Sequence, residues 1–279
     1  MSGTGKLLLM GATGTVGGEL FRQLRHAGAD VRAAVRGRDH GLPAGADVVT
    51  ADFDRPGTIA AAATGVRGAF LIGGRRDMSG LLAALGTAGV EHVVVLTSRS
   101  VIGRVPGNAI ADMWAASEDA VRASGLAWTI LQPSGFMSNA LRWLPQLRAG
   151  DVVRGPFGDA AIAAIDPADL AAVAAVALTD RSYASRHLEL SGPDALRPAE
   201  QLAILGRALG RALRFNALTG DAATAELAGV FPPPFVEAQQ RFFDRGEFDD
   251  ARVVPTVAEV LGRPARTFEQ WAAAHASAF

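Results

Sequence analysis

Short apolar runs alternate with amphipathic segments along the first half of the chain. Residues 7–10 form the first such run and predict a buried strand, and Leu20, Phe21 and Leu24 then recur at helical spacing. Further runs predict strands at 31–35, 48–51, 68–72, 92–97 and 128–131, with helices at 56–63, 80–88 and 110–124. Because strands and helices alternate, the pattern predicts an α/β fold with a doubly wound parallel sheet.

Three glycines occupy the turn between the first strand and the first helix. Gly11 permits a tight turn, Gly14 lets the backbone approach a pyrophosphate, and Gly17 lets the helix pack close to the sheet. The free N–H groups and the positive dipole at the start of the helix favour phosphate charge. A tight turn without a ligand is the alternative, but the flanking strand and helix favour a Rossmann-type, dinucleotide-binding loop.

Arg36 follows the second strand, where the adenosine ribose of a bound dinucleotide is expected. An Asp or Glu at this position holds the 2′-hydroxyl of NAD, whereas an Arg accommodates the 2′-phosphate of NADP. With Arg38 nearby, the sequence favours NADPH over NADH. Asp39 is close enough to keep NADH in consideration, and a solvated arginine loop is the alternative for Arg36 itself.

The ends of the next two strands extend this prediction. Asp52 and Phe53 follow the third strand and are expected against the adenine ring. Gly73 and Gly74 follow the fourth strand and let the backbone pass close to the ribose and pyrophosphate. Arg75, directly after them, faces either phosphate or solvent.

The chain beyond residue 134 has shorter and less regular apolar segments. They predict strands at 152–153, 161–165 and 187–190, and helices at 141–147, 198–210, 221–227, 236–243 and 268–275. A further helix starts at Pro167 with Asp166 as its N-cap, which explains Asp166 and Asp169 without a catalytic role. We predict an NAD(P)-binding Rossmann core at 1–134, completed by about 160–192. A smaller, mostly helical substrate lobe is expected at 135–159 and 193–279.

Composition narrows the classes of function. The net charge is −1, so no basic field predicts nucleic-acid binding. Cysteine is absent, which excludes disulfides and thiolate catalysis, and the five histidines lack ligand spacing, so no metal site is predicted. No apolar run approaches the roughly 20 residues of a membrane span, and no signal-peptide pattern is present. We therefore expect a cytoplasmic protein.

Several motifs along the full length of the chain share one resemblance. They are GATGTVG at 11–17, Arg36, Asp52 with Phe53, SGLAWTILQPSGFMSN at 124–139, IDPADLAAVAA at 165–175 and LSGP at 190–193. This combination resembles the NmrA-like family, an atypical branch of the short-chain dehydrogenase/reductase (SDR) superfamily. The resemblance implies a reductase that uses NADPH on quinones and other conjugated substrates, or a protein that senses the NADPH/NADP ratio.

The resemblance also implies which residues form the site. The cofactor contacts are Gly11, Thr13, Gly14, Thr15, Val16, Arg36, Asp52, Phe53, Gly73 and Thr97, with Pro133, Ser134 and Phe136 near the nicotinamide. Asn139 matches the family position at the mouth of the substrate cleft. By residue type, an apolar pocket for a flat ring is expected from Met113, Trp114, Phe136, Met137 and Trp143, with core packing as the alternative.

The acid–base pair typical of the wider superfamily is missing. A Tyr-x-x-x-Lys pair there protonates a carbonyl oxygen, but Tyr183 and Lys6 are the only tyrosine and lysine of this chain. Some relatives place a Lys or His four residues before a glutamate. In this chain Glu118 matches the glutamate, and Trp114 stands at the earlier position.

Quinone reduction suits this sequence because a hydroquinone oxyanion is delocalised and needs little acid catalysis. The proton then comes from Ser98, Ser100, a water or the substrate's own acidity. We predict an NAD(P)H-dependent reductase of a quinone or polycyclic aromatic substrate, in aromatic polyketide (antibiotic) tailoring beside a partner monooxygenase. The alternatives are an NADP(H)-sensing regulator without turnover, and an isomerase or dehydratase with a structural nucleotide. The sequence leaves the oligomeric state open.

Overall fold

A seven-stranded sheet organises the N-terminal half of the chain in the computed structural model, which describes residues 5–37 and 41–279. The strands of this sheet and of a second, two-stranded sheet are β1 (Lys6–Met10), β2 (Val31–Val35), β3 (Asp47–Thr50), β4 (Val66–Ile72), β5 (His92–Leu96), β6 (Ala127–Pro133), β7 (Val152–Gly155), β8 (Arg186–Leu190) and β9 (Arg214–Ala217). The helices are α1 (Thr15–His26), α2 (Ile59–Ala62), α3 (Met78–Thr87), α4 (Ala109–Ala123), α5 (Leu144–Ala149), α6 (Pro167–Thr179), α7 (Pro198–Leu209), α8 (Gly220–Ala228), α9 (Pro233–Phe243), α10 (Thr256–Leu261) and α11 (Phe268–His275).

The large sheet has the strand order β3-β2-β1-β4-β5-β6-β8, and its first six strands along the chain pair in parallel. The chain runs outward from β1 to β3 and then crosses to β4 on the other side of β1. The strand order therefore reverses between β1 and β4. Open α/β sheets bind ligands outside the carboxyl ends of the strands at such a point. The predicted Rossmann-type, doubly wound sheet is confirmed.

Helices on both faces bury the strands of this sheet. Every residue of β5 is buried, which agrees with its almost wholly apolar sequence. Helix α1 buries Leu20, Phe21 and Leu24, the residues that recur at helical spacing, and it packs beside α6. These contacts hold the start of α1 against the end of β1, where the glycine loop lies.

Four segments differ from the sequence-based expectation. Residues 161–165 form isolated bridges, Ile162 with Leu196 and Ile165 with Phe136, because their partners lie on two separate segments. Strand β9 and helix α10 were not predicted, since β9 is largely exposed and α10 has six residues and no side-chain cap. Helix α9 begins at Pro233, three residues before the predicted start at 236, because prolines are tolerated in the first turn, where an N–H has no intrahelical partner to lose.

The chain divides into two compact units. The first contains the described residues up to 98, with 113–133 and 167–189, and the second contains 99–112, 134–166 and 190–279. The second unit has its own apolar core, in which α7 and α11 pack around Leu202, Phe268 and Trp271. Residues 99–112 and 160–166 thus group with the second unit, whereas the sequence-based division assigns them to the Rossmann core. Every helix within the described ranges is too short or too polar to cross a bilayer.

Candidate functional site

The glycine loop after β1 has a backbone that side chains would disrupt. Gly11 has a φ of 70°, in the left-handed region, and the Gly14 N–H donates to the Gly11 carbonyl at 2.8 Å. A Cβ on Gly17 would lie 2.2 Å from the same carbonyl oxygen. The tight turn and the close approach of the helix therefore both depend on glycine.

The start of α1 fits an anionic ligand. Gly14 is the N-cap, no side chain caps the helix, and no acidic residue occupies its first turn. Thr13, Gly14 and Thr15 are exposed. Because the first N–H groups of a helix lack intrahelical acceptors, these positions can receive a pyrophosphate. The exposed backbone of the loop is therefore suited to the predicted phosphate contacts.

The site predicted for the adenosine end of the cofactor lies partly outside the described residues. Arg36 is exposed directly after β2, whereas Arg38 and Asp39 lie outside the described residues. After β3, Phe53 is buried in the core of the first unit, and the Asp52 carboxylate accepts the Asp54 N–H at 3.0 Å. Phe53 thus supports the strand end from within, and Asp52 shapes the turn that follows it.

Arg75, which the sequence placed against either phosphate or solvent, is 3.4 Å from the Asp54 carboxylate. This contact attaches the loop after β4 to the turn after β3. The contact with Asp54 therefore accounts for the position of the Arg75 side chain, without a phosphate contact or full exposure to solvent.

Helix α4 supports the Gly73–Gly74 loop at the end of β4. The Gly74 N–H donates to the Ser117 hydroxyl at 2.8 Å. A Cβ on Gly73 would lie 3.3 Å from the Trp114 ring, and a Cβ on Gly74 would lie 3.2 Å from the Met113 sulfur. The structure therefore brings two predicted pocket residues against a predicted cofactor segment.

A buried carboxylate on α4 joins the ends of β5 and β6. Glu118 is 1% exposed, and its Oε1 accepts from the Thr97 hydroxyl and from the Gln132 amide, both at 2.8 Å. Its Oε2 lies 3.3 Å from Arg122 and 3.7 Å from His187 Nδ1. Gln132 was not among the residues predicted for the site, although it lies within the 124–139 motif, directly before Pro133.

The charge of Glu118 affects its neighbour on β8. Burial lowers the pKa of His187, while the Glu118 carboxylate opposes this shift and Arg122 adds to it. The Glu118 carboxylate therefore has a guanidinium as its charged partner, and two neutral donors hold its other oxygen.

The second unit holds the segment after β6 by hydrogen bonds. The Ser134 hydroxyl donates to the Ala163 carbonyl, and the Gly135 N–H donates to Asp250 Oδ2 at 3.0 Å. Burial raises the pKa of Asp250 to about 7, while the Gly135 N–H and the Arg99 guanidinium oppose the shift. Asp250 was not among the residues predicted from the sequence, because no motif surrounds it.

The remaining predicted residues have varied surroundings. Met137 and Trp143 pack in the apolar core of the second unit, Met137 fully buried and Trp143 at its margin. Asn139 is exposed and Phe136 is half-buried. Of the two hydroxyls considered as proton sources, Ser98 is half-buried just beyond β5 and Ser100 is buried.

Neither member of a Tyr-x-x-x-Lys pair is placed for acid catalysis. Lys6 contacts Asp47 at 2.6 Å and Asp30 at 2.9 Å, and these hydrogen bonds raise its pKa. Tyr183 lies beyond α6, where its backbone carbonyl accepts from Thr129. In the described part of the chain, no three histidine, aspartate or glutamate residues cluster as metal ligands.

Comparison with known proteins establishes the family. The NAD(P)H-binding family model matches residues 11–181. A (4-alkanoyl-5-oxo-2,5-dihydrofuran-3-yl)methyl phosphate reductase of Streptomyces griseus is 40% identical over 284 residues, covering 98% of this chain and 99% of that protein. An NAD(P)H azoreductase of Xenophilus azovorans is 35% identical over 285 residues, with the same two coverages of 98% and 99%.

Solved structures share the fold at lower identity. The NADPH complex of an Escherichia coli NADPH-dependent quinone oxidoreductase has a TM-score of 0.80 at 22% identity, covering 96% of this chain and 99% of that one. A triphenylmethane reductase of Citrobacter sp. has a TM-score of 0.80 at 18% identity, covering 98% and 100%. The family-model match and the two curated relatives, together with the glycine loop and the strand order, show that the chain belongs to the NAD(P)H-binding family and is an NAD(P)H-dependent reductase.

Proposed function

We propose that this reductase delivers hydride to an electron-poor conjugated acceptor, a quinone or a polycyclic aromatic compound. The observation that carries the proposal is the position of Lys6. This residue lies on the first strand and forms salt bridges with Asp30 and Asp47. The chain therefore has no lysine with which to lower the pKa of a catalytic tyrosine. A substrate that needs strong acid catalysis is disfavoured.

The chemistry of the acceptor explains why such a site suffices. Hydride addition to a simple ketone leaves a localised alkoxide that requires a positioned acid. Hydride addition to a quinone leaves a phenolate-type oxyanion whose charge is spread over the ring. A hydroxyl such as Ser98, or a water, is an adequate proton source for that product.

The proposed cofactor contacts follow the site described above. We assign them to Gly11, Thr13, Gly14, Thr15, Val16, Arg36, Asp52, Phe53, Gly73 and Thr97, with Pro133, Ser134 and Phe136 at the nicotinamide. NADPH supplies the hydride when it is bound. Arg36 supports NADPH over NADH, because an exposed guanidinium after β2 suits a 2′-phosphate. The proposed substrate contacts are Met113, Trp114, Met137, Asn139 and Trp143.

A more specific proposal concerns the biological setting. An Ala-, Gly- and Arg-rich composition is typical of a GC-rich genome. We propose a role in aromatic polyketide tailoring, in which a quinone is reduced so that a separate monooxygenase can hydroxylate the ring. We propose that the protein acts in the cytoplasm.

The relative at 40% identity supports a second substrate. Its name describes a dihydrofuranone whose ring double bond is conjugated with carbonyl groups and which bears a phosphate. Hydride addition to such a double bond leaves a delocalised enolate, so this substrate, like a quinone, needs little acid catalysis. An acyl dihydrofuranone phosphate is therefore the alternative substrate to a quinone.

One substrate panel distinguishes these functions. Purified protein is incubated with NADPH and with benzoquinones, naphthoquinones, anthraquinones, an azo dye, and an acyl dihydrofuranone with and without its phosphate. Nicotinamide absorbance is followed against a protein-free control. We expect turnover of at least one quinone, and turnover of the furanone alone would favour the second substrate.

Deuterated NADPH tests the alternatives without hydride transfer. Deuterium in the product demonstrates transfer and excludes an isomerase or dehydratase with a structural nucleotide. Tight NADPH binding with no turnover across the panel would overturn the proposal and favour a sensor. A pull-down with and without NADPH would then identify a cofactor-dependent partner.

A further inference from the structure

We propose that Asp250 is a positioning residue for hydride transfer, holding the backbone at Gly135 between the proposed nicotinamide contacts Ser134 and Phe136. This inference rests on the proposed function for its connection to catalysis. The contact itself is a property of the second unit, because both Asp250 and Gly135 lie in it. The residues are 115 positions apart in the sequence.

Two groups of Asp250 fasten two separate segments. Its carboxylate Oδ2 accepts the Gly135 N–H at 3.0 Å, and its backbone carbonyl accepts the Ala163 N–H at 2.7 Å. The Ala163 carbonyl in turn accepts the Gly192 N–H at 2.9 Å and the Ser134 hydroxyl. The segment after β6 is thus fixed from both sides by groups that depend on Asp250.

Arg99 supplies the opposite charge from the segment after β5. Its side chain is 2% exposed, its Nη1 lies 3.9 Å from Asp250 Oδ1, and the same nitrogen donates to the Arg252 carbonyl at 2.7 Å. Arg99 follows the proposed catalytic Ser98 directly in the sequence. The buried pair therefore joins the chain beyond Ser98 to the chain beyond Pro133.

The surroundings of Gly135 leave little room for movement. A Cβ at this position would lie 2.9 Å from Ile162 Cγ2, 3.4 Å from Asp250 Oδ2 and 3.9 Å from Asn139 Nδ2. The carboxylate and the amide of Asn139, the residue proposed at the substrate cleft, therefore both border Gly135. A displacement of Gly135 would affect both the nicotinamide segment and the substrate segment.

Burying the Asp250 carboxylate is energetically costly for a contact that is structural only. Asp250 Oδ1 is buried without a hydrogen-bond partner among the described residues. Replacing a buried ion pair by apolar residues is often neutral or stabilising, so stability alone gives no reason for this arrangement. A role in fixing the geometry of the segment accounts for its presence.

The carboxyl can also change charge near neutral pH. Burial raises the pKa of Asp250 to about 7, against the Gly135 N–H and Arg99, and the neighbouring Asp249 adds to the rise. Arg99 and Asp249 are the charged groups that face it. Because an ionised acceptor makes the stronger hydrogen bond, the Gly135 backbone should be held more firmly above pH 7 than below it.

Two substitutions separate a positioning role from a structural one. D250N keeps an acceptor oxygen for the Gly135 N–H but cannot ionise, and D250A removes the acceptor. We expect D250A to lower kcat about tenfold or more with a smaller change in KM, because misplaced reacting groups slow the chemical step. D250N should retain the low-pH activity of the wild type at every pH. D249A, at an exposed neighbour, should keep the wild-type kcat above the titration range and move the Asp250 titration to lower pH, because it removes a charge that raises the pKa of Asp250.

A readout without turnover keeps the test independent of the proposed function. The ¹⁵N-labelled Gly135 amide resonance should titrate with a midpoint near pH 7 in the wild type and remain constant in D250N. NADPH affinity, measured by fluorescence, should fall in D250A and be largely restored in D250N. These measurements remain informative if no panel compound is reduced, and D250N alone suffices if D250A does not fold.

Other results would overturn the inference. A D250A protein with a lower Tm but unchanged kcat, KM and NADPH affinity would show that Asp250 is structural only. A Gly135 amide that titrates equally in the wild type and D250N would show that another group causes the shift.

Discussion

Glu118 accepts a hydrogen bond from the Thr97 hydroxyl at 2.8 Å, which fixes the carboxyl end of β5 to helix α4. The same Oε1 accepts from Gln132 near the end of β6. One buried carboxylate thus aligns two strand ends at the edge where a parallel sheet presents its ligand site. The adjacent Ser117 supports Gly74, so consecutive residues of α4 reach the ends of three strands.

Replacing Glu118 should separate its acceptor role from its charge. E118L leaves the Gln132 amide without an acceptor, and we expect a loss of unfolding free energy on the order of 2–4 kcal/mol. E118Q keeps an acceptor oxygen and should lose no more than about 1 kcal/mol. Urea unfolding measures both variants, and an NADPH titration reports the effect on Thr97. Equal losses for the two variants would contradict an acceptor role.

Arg36 should determine the preference between the two cofactors. R36A removes the guanidinium proposed to face the 2′-phosphate, and we expect NADPH binding to weaken by on the order of 1.5–3 kcal/mol, with NADH binding nearly unchanged. Fluorescence titration with each nucleotide measures this difference. R67A is a matched control, since Arg67 is also exposed but pairs with Glu91. A similar loss for both nucleotides in R36A would show that this residue does not recognise the phosphate.

Two neighbouring glycines should respond oppositely to alanine. A Cβ on Gly17 would lie 2.2 Å from the Gly11 carbonyl oxygen, so G17A must displace the loop, at a cost on the order of 1–3 kcal/mol. NADPH affinity should fall with it. A Cβ on Gly18 approaches nothing closer than 3.4 Å, and alanine is favoured over glycine within a helix by about 0.5–1 kcal/mol. Urea unfolding of G17A and G18A tests the pair, and a G17A protein that binds NADPH normally would refute the tight-loop requirement.

His92 should contribute to the pH dependence of stability. It is buried in β5, with Nε2 3.1 Å from the Thr129 hydroxyl. Burial, with a contribution from Arg181, lowers the pKa of His92 from 6.5 to about 4. Because the folded pKa is below the unfolded one, the stabilisation is fully present above pH 6.5 and is lost as pH falls toward 4. This residue alone accounts for up to about 3 kcal/mol of that loss.

The H92Q variant isolates this contribution. Glutamine can still donate to the Thr129 hydroxyl but does not titrate, so its unfolding free energy should fall less than that of the wild type between pH 6.5 and 4. H26Q, at the exposed end of α1, serves as the control. Parallel pH curves for the wild type and H92Q would contradict the assignment.

Local patterns along the chain were sufficient to predict the sheet and its glycine loop. Each buried strand is a short apolar run between turn residues, so β2 was located at its observed bounds and its neighbours within a few residues. The loop needed only Gly11, Gly14 and Gly17 between a strand and a helix, because its requirements are steric and local. Arg36 was likewise identifiable from its place after β2.

Such local patterns did not predict the contacts between segments that are distant in the sequence. Asp250 carries no motif, and Gln132 lies within the 124–139 motif without a residue type that indicates its role; they join the site only because the fold brings them to Gly135 and Glu118. The assignment of residues 99–112 to the second unit also depends on partners more than a hundred positions away, such as Arg252 for Arg99. Local propensity predicts strands, helices and turns, whereas the buried polar network forms only when separate strand ends meet.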